Sequence, residues 1–296
     1  MNTKAFIFTE AYNCGLILKK CLESFFKYHP EVLVHVFGTA KDFKELGRFN
    51  NVEYMELSSD QELKECFKQG HMGTAHIGAR VIQEFSEGYD YIIHFDSDLI
   101  FRKESLSMLL EKIDEGYDLI GPRRCYKNNM NGIKGLDSLM DVTQTYFYAF
   151  NKRKISNYNF QTLRSMVVGY HNPLGHAILD YFDPVSFDIL KNGGKIFILN
   201  EDAVGGLTAE GTRKNAFEDL NNDLDFGANI VHFAGCGSGM KFYYKGGENT
   251  AESYVNWAIK RFGLYYKVNY GTNLENIEIN EEVAEKLTKA LYETNS

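Results

Sequence analysis

The sequence predicts an α/β fold: a mainly parallel central sheet flanked by helices, with ligands bound at the carboxyl ends of the strands. Two observations carry that expectation. Short apolar β-type runs alternate with amphipathic helical patterns through the first half of the chain, which is the signature of βαβ units. Polar residues then follow directly after three of those runs, at Thr9–Asn13, Gly38–Asp42 and Asp96–Asp98. Open parallel sheets bind their ligands beyond such strand ends.

Taken in order, Ala5–Thr9 is the first β-type run. From Cys14 to Lys27, the residues Leu16, Ile17, Cys21, Leu22, Phe25 and Phe26 recur at helical spacing. Valine-rich Glu31–Gly38 and then Val52–Leu57 read as the second and third strands. Gln61–Lys68 and Ile77–Phe85 have helical patterns, and Gly88 breaks the chain before the buried run Tyr91–Phe95. A helix over Glu104–Glu115 and a strand over Tyr117–Gly121 follow. The stretch 122–170 is irregular by pattern, with a helix expected near Asp137–Phe150. Later come a helix over Pro184–Leu190, a strand over Lys195–Leu199, a helix opening near Glu201 and a strand over Asn229–Phe233. Helices over Ser253–Phe262 and Glu281–Glu293 close the chain. With only four prolines and no linker-like stretch in 296 residues, residues 1–250 are expected to form one catalytic domain and residues 251–296 a helical appendage.

Composition narrows the classes. The chain is 44% apolar and 24% charged, ordinary values for a globular protein. No apolar run approaches the ~18 residues of a membrane span. The start, Met1-Asn2-Thr3-Lys4, leads straight into a short apolar stretch without the pattern of a secretory signal. The five cysteines are scattered and form no Cys-x-x-Cys pair, which argues against a disulfide scaffold or structural zinc. A cytoplasmic protein with no membrane partner is expected. Its net charge of −8 hides an asymmetry, because residues 121–170 hold eight Lys/Arg against two acids.

Asp96-Ser97-Asp98 ends the apolar run Tyr-Ile-Ile-His-Phe. Two carboxylates at i and i+2 can converge on one cation where a strand breaks, and their oxygens suit Mg²⁺ or Mn²⁺. The plain structural alternative is a pair of acids capping a strand-to-helix turn.

At these residues a resemblance becomes specific. Gly73–Arg80, followed after about ten residues by Tyr91–Ile100, resembles the A-type fold of nucleotide-sugar glycosyltransferases that carry an Asp-x-Asp motif. The resemblance implies a donor half at 1–122 and an acceptor half at 123–250. Within it, Asp96 and Asp98 would hold Mn²⁺ or Mg²⁺, Ser97 would lie against the donor, and Arg80 would pair with the pyrophosphate through its fork of donors. His76, one turn earlier, is as well read as a surface histidine. The opening Phe6–Asn13 resembles the first strand and nucleoside loop of the family, so Thr9, Glu10, Tyr12 and Asn13 are implied donor contacts. Val231-His232-Phe233-Ala234-Gly235 resembles a His-Phe-x-Gly element that closes the metal site in some of these families. His232 would then be a third metal ligand, and Lys241 would neutralise phosphate. This chain departs from that element, with Cys236-Gly-Ser-Gly-Met-Lys241 in place of Lys-Pro-Trp. Asn200-Glu201-Asp202 resembles the motif whose carboxylate deprotonates the acceptor in inverting members. Asp202 is the first candidate and Glu201 the second, and both also suit the first turn of a helix.

The basic window supplies Arg123, Arg124, Lys152 and Arg153 as candidate acceptor contacts, interleaved with eight aromatic residues. Cations with aromatic faces make a nucleic-acid-like surface, and sugar acceptors use aromatic platforms too. The Asn-, Lys- and Tyr-rich style is similar to that of bacteriophage proteins, some of which glycosylate hydroxymethylated cytosine in their own DNA. The expected function is therefore metal-dependent transfer from a nucleoside-diphosphate sugar, with UDP as the commonest carrier, to a hydroxyl acceptor. That acceptor would be a polyanion such as hydroxymethylcytosine DNA, and the location the host cytoplasm if a phage encodes the chain. Alternatives are a glycan or protein acceptor, an Asp-x-Asp phosphatase or phosphotransferase, and a non-catalytic glycan-binding module. A phosphatase pair normally follows the first strand and wants Thr or Val where this chain has Ile100.

Overall fold

The structure is a computed structural model that describes residues 4–11, 14–56, 78, 80–122, 146–154, 189, 192–199, 225–226, 230–232, 263, 267, 273, 281–282 and 285. A seven-stranded sheet is its centre. In chain order the strands and helices begin β1 (Ala5–Ala11), α1 (Gly15–Tyr28), β2 (Val34–Gly38), α2 (Ala40–Leu46) and β3 (Val52–Glu56). They continue with β4 (Tyr91–Phe95), β5 (Leu99–Phe101), α3 (Leu106–Asp114), β6 (Leu119–Pro122), β7 (Phe147–Asn151) and β8 (Ile196–Leu199). Two short strands follow, β9 (Asp225–Phe226) and β10 (Ile230–His232).

The sheet order is β3-β2-β1-β4-β7-β6-β8. β1 pairs parallel with β2 and with β4, β2 with β3, and β6 with β8. Only β7 runs the other way, antiparallel to both β4 and β6. Successive strands leave β1 toward β2 on one side and β4 on the other. That reversal opens a crevice at the carboxyl ends of β1 and β4, where doubly wound sheets bind nucleotides.

Alternation of side chains puts the sheet between two cores. Ile7, Ala11, Ile93, Phe95, Ile120 and Phe147 face α1, whose Ile17, Leu18, Cys21, Leu22 and Phe25 fill one layer. Phe6, Phe8, Phe37, Ile92, Tyr148 and Phe150 face the other way, against Val81 and Ile82 of the helical residues 80–85. Burial on both faces explains the near-continuous apolar runs of β1, β2 and β4.

One expectation fails here. The helix expected near Asp137–Phe150 is, over Phe147–Asn151, strand β7. Phe147, Tyr148, Ala149 and Phe150 are all buried, because a central strand packs both faces, and an apolar run of that length has no period that tells strand from helix. The rest of that expected helix, the helices at 61–68 and 253–262, and the helix opening near Glu201 lie outside the described residues. The remaining strand expectations hold within a few residues at each end. In the small antiparallel sheet β5-β10-β9, β10 matches the strand expected over Asn229–Phe233, whereas β5 and β9 were not expected.

Candidate active site

The carboxyl rim of the main sheet is built by parallelism. β1, β2, β3, β4, β6 and β8 all end on it. Asp42 stands in the first turn of α2, just after β2, and Asp96 and Asp98 follow β4, while the chain leaves β6 at Pro122 immediately before Arg123 and Arg124, and β8 at Leu199 just before Glu201 and Asp202. Residues 123–124 and 201–202 themselves lie outside the described residues, as do Tyr12, Asn13 and Lys241.

The acid loop 96–98 is held from two sides. The Asp96 N–H donates to the Tyr146 carbonyl at 2.8 Å, carrying the β4–β7 ladder one step past the strand. From beneath, the Cys21 thiol of α1 donates to the Asp96 carbonyl at 3.7 Å and the Cys14 thiol reaches the Ser97 hydroxyl at 3.4 Å. Burial pushes the Cys21 thiol well above its ordinary pKa, and Asp98 and Asp96 add to that. It stays a neutral thiol, a packing and hydrogen-bonding group and no nucleophile. Ser24 of α1 accepts the Phe101 N–H at 2.9 Å, which fixes β5 to the same helix. Asp98 is buried, and the Asp96 side chain is about a third exposed, at 31%.

The side of the rim at β1 and β2 is pinned by a third carboxylate. Asp42, fully buried, accepts the Cys14 N–H at 3.0 Å and the Thr39 hydroxyl at 2.6 Å. Thr39 also caps α2 through the Asp42 N–H. The joint is tight: a Cβ on Gly15 would come within 2.4 Å of the Asp42 carbonyl, and one on Gly38 within 2.9 Å of the Ala11 carbonyl. The polar cluster Gly38–Asp42 therefore has a structural duty, holding α1 and α2 together under the rim.

The sequence-derived candidates divide by position. Thr9 is fully buried on the β1 face that carries Ile7 and Ala11, under α1. Glu10, also buried, points to the opposite face, where its Oε2 meets His94 Nε2 at 2.7 Å. Arg80 is paired with Glu84 at 2.7 Å. It lies in the helical run 80–85, whose Val81 and Ile82 pack on the sheet face that carries Phe6 and Phe8. His232 is the last residue of β10, in register with Leu99 of β5. Its backbone thus sits one position from Asp98.

Lys152 and Arg153 are not brought to this rim. Because β7 is antiparallel, its end lies at the amino end of β4, where Asn151 is level with Tyr91. That is about 16 Å from Asp96 at ~3.3 Å per strand residue. Lys152 there donates to the Ser86 carbonyl at 2.5 Å and to the Ser86 hydroxyl at 3.0 Å, and Arg153 pairs with Asp90. Burial lowers the pKa of Lys152, against the pull of Glu87 and Asp90.

The sequence reading missed His94. Its only signal was a histidine at the fourth position of an otherwise apolar strand that runs into acids, and a lone core histidine rarely stands out.

The donor set fits a divalent cation. Mg²⁺ and its relatives are commonly held by one or two carboxylates together with substrate phosphates and waters. Asp96 and Asp98 supply two such oxygens on one pinned loop. Among the described residues no cluster of three or more His, Cys, Asp or Glu side chains is gathered for a metal. Among the described residues no helix is long and apolar enough to cross a membrane.

Comparison with known proteins agrees with this geometry. Residues 77–173, about a third of the chain, match the family model Glycosyl transferase family 2. The matched segment spans β4, the acid loop and β7. Solved structures similar to this chain include an active-site mutant of LgtC (16% identity, 86% of this chain and 95% of that one, TM-score 0.51). The galactosyltransferase LgtC in complex with donor and acceptor sugar analogues is another (14% identity, 86% and 95%, TM-score 0.50). Mouse xyloside xylosyltransferase 1 in its apo form is a third (11% identity, 80% and 99%, TM-score 0.50). No curated protein sequence matches the chain. The fold is the A-type glycosyltransferase fold, and with the matched segment it makes the chain an enzyme of the glycosyltransferase class.

Proposed function

We propose that this enzyme transfers a sugar from a nucleoside-diphosphate sugar, with UDP as carrier, to a hydroxyl acceptor, using a divalent cation at Asp96 and Asp98. The observation that carries the reading is the position of that pair. Two carboxylates stand on a doubly pinned loop at the carboxyl end of β4, beside the crevice where strand order reverses at β1. Mn²⁺ or Mg²⁺ bound there would neutralise charge on the departing diphosphate.

The chain's own groups divide the remaining work. Glu10 near the end of β1, with Tyr12 and Asn13 after the strand, addresses the nucleoside, and Ser97 lies between the two acids. Arg80 and Lys241 address the diphosphate, Arg80 on exchanging its partner Glu84 for phosphate oxygens. His232 enters beside Leu99 as the third protein ligand, and its imidazole favours Mn²⁺ over Mg²⁺. Asp202, with Glu201 second, takes the proton of the acceptor hydroxyl as it attacks the anomeric carbon. The acceptor half follows β6, so Arg123 and Arg124 remain its candidate contacts. Lys152 and Arg153, tied to Ser86 and Asp90, do not.

UDP release from a panel of UDP-sugars, with Mn²⁺ or with chelator, tests the donor reading, and Asp98→Asn serves as the control. Metal-dependent release that Asp98→Asn abolishes supports it, and release unaffected by chelator and by that change refutes it. Addition of hydroxymethylcytosine DNA tests the acceptor: stimulation supports a polyanion, and stimulation by glycans or proteins alone removes it.

A further inference from the structure

The face of the sheet that holds Glu10 and His94 is otherwise apolar and aromatic. Phe8 lies 4.9 Å and Tyr148 5.3 Å from the His94 ring, centroid to centroid, with Phe6, Ile92 and Phe150 beyond them. His94 is fully buried and the Glu10 side chain is 4% exposed. A buried carboxylate–imidazole contact is seldom retained for stability alone, because well-packed apolar residues of similar volume often do as well or better. Something other than packing accounts for the pair.

Its direction supplies the reason. His94 Nε2 donates to Glu10 Oε2 at 2.7 Å, and Nδ1 of the same ring faces Asp96 Oδ1 at 4.0 Å. The side chains of 94 and 96 lie on one face by the two-residue period of the strand. Carboxylate, imidazole and carboxylate therefore form a line from the first strand to the acid loop. Glu10 fixes the ring through one nitrogen, and the other addresses the one acid of the pair that is partly exposed and has room to turn. Partners behind a ligating carboxylate set its orientation, and their loss typically costs ~10–100-fold in metal affinity.

We infer that Glu10 and His94 are positioning residues that orient the Asp96 carboxylate for a divalent cation, which gives Glu10 a duty behind the acid loop in addition to any nucleoside contact. The inference rests on the metal reading proposed above. Asn in place of His94 keeps an amide donor near the position of Nδ1, whereas Leu removes both donors.

The test is Mn²⁺ binding, measured by electron paramagnetic resonance of the free ion, with and without saturating UDP, for the full chain and for Glu10→Gln, His94→Asn, His94→Leu and Asp98→Asn. Glu10→Gln and His94→Leu are expected to weaken Mn²⁺ about 10-fold, and His94→Asn by less than about threefold. Thermal melts of each variant report folding, and Glu10→Gln, nearly isosteric, carries the test if His94→Leu does not fold. Loss of Mn²⁺ binding in Asp98→Asn with unchanged or tighter binding in Glu10→Gln and His94→Leu overturns the inference and leaves the metal reading standing. No Mn²⁺ binding by the unaltered chain in either arm overturns both.

Discussion

Gly15→Ala tests whether the joint beneath the rim governs the site. The added Cβ would lie 2.4 Å from the Asp42 carbonyl, 2.9 Å from Glu45 Cβ and 3.0 Å from Asp42 Cα. Two of these are backbone atoms of α2 and cannot rotate away. Ordinary contact at about 3.4 Å requires α1 and α2 to part by about 1 Å. Overpacking of this kind costs ~1–3 kcal/mol. The same movement stretches the 3.0 Å bond from the Cys14 N–H to the buried Asp42 carboxylate, a charge-assisted bond of ~1.5–3 kcal/mol. Replacing Gly with Ala in a helix returns up to ~1 kcal/mol. The net expectation is a loss of about 2–4 kcal/mol, which lowers Tm by roughly 5–12 °C for a domain of this size. Circular dichroism melts measure it. Because Cys14 also touches Ser97, transfer measured well below Tm should fall about 10-fold or more, in keeping with the large cost of small misplacements in catalysis. An unchanged Tm with full transfer would refute the reasoning from the Gly15 contact.

Asp98→Asn should nearly abolish sugar transfer while leaving the melting curve within a few degrees, and normal transfer by that variant removes the metal assignment. Burial holds the His29 imidazole below its ordinary pKa of 6.5, against the pull of Glu104, and its Nε2 accepts the Ser105 N–H at 3.3 Å. The unfolded chain therefore binds the His29 proton more tightly than the folded one, so stability is lost as pH falls from about 6.5 toward the lowered folded value. Urea melts across pH 5–8 should show that slope, and His29→Asn should flatten it. Arg153→Ser should change stability by less than ~1 kcal/mol, because its pair with Asp90 is exposed. It should leave acceptor KM unchanged, and a salt-dependent rise in KM would return Arg153 to the acceptor site.

Much of the first 122 residues was legible because the strands there are buried on both faces and the turns are polar. Tyr91–Phe95 running into Asp96 announces both a central strand and its functional end, and neither depends on distant residues. β7 was not legible for the same physical reason in reverse. A run such as Phe147–Phe150 is apolar whether it is helix or strand, and only its pairing with β4 and β6 decides. The basic residues were assigned to the acceptor on the charge of their window, and the antiparallel strand delivers Lys152 and Arg153 to the amino end, beside Ser86 and Asp90. The orientation of one strand thus decides which charges of a basic window can take part in chemistry.

The same logic separates Gly38–Asp42 from Asp96–Asp98, two polar clusters that look alike in the sequence. Both follow apolar strands at the carboxyl rim. Asp42 spends its two oxygens on Cys14 and Thr39 and is fully buried, so it is fixed as a structural group. Asp96 keeps about a third of its side chain exposed while its backbone is held by Tyr146 and Cys21. A carboxylate whose main chain is fixed and whose oxygens remain reachable is suited to a ligand, and one whose oxygens are consumed is suited to a joint. The difference lies in long-range partners, 75 residues away for Cys21 and Asp96 and 28 for Cys14 and Asp42, which no local pattern encodes. Strand ends therefore nominate candidates for chemistry, and the tertiary contacts that fix or bury each acid decide among them.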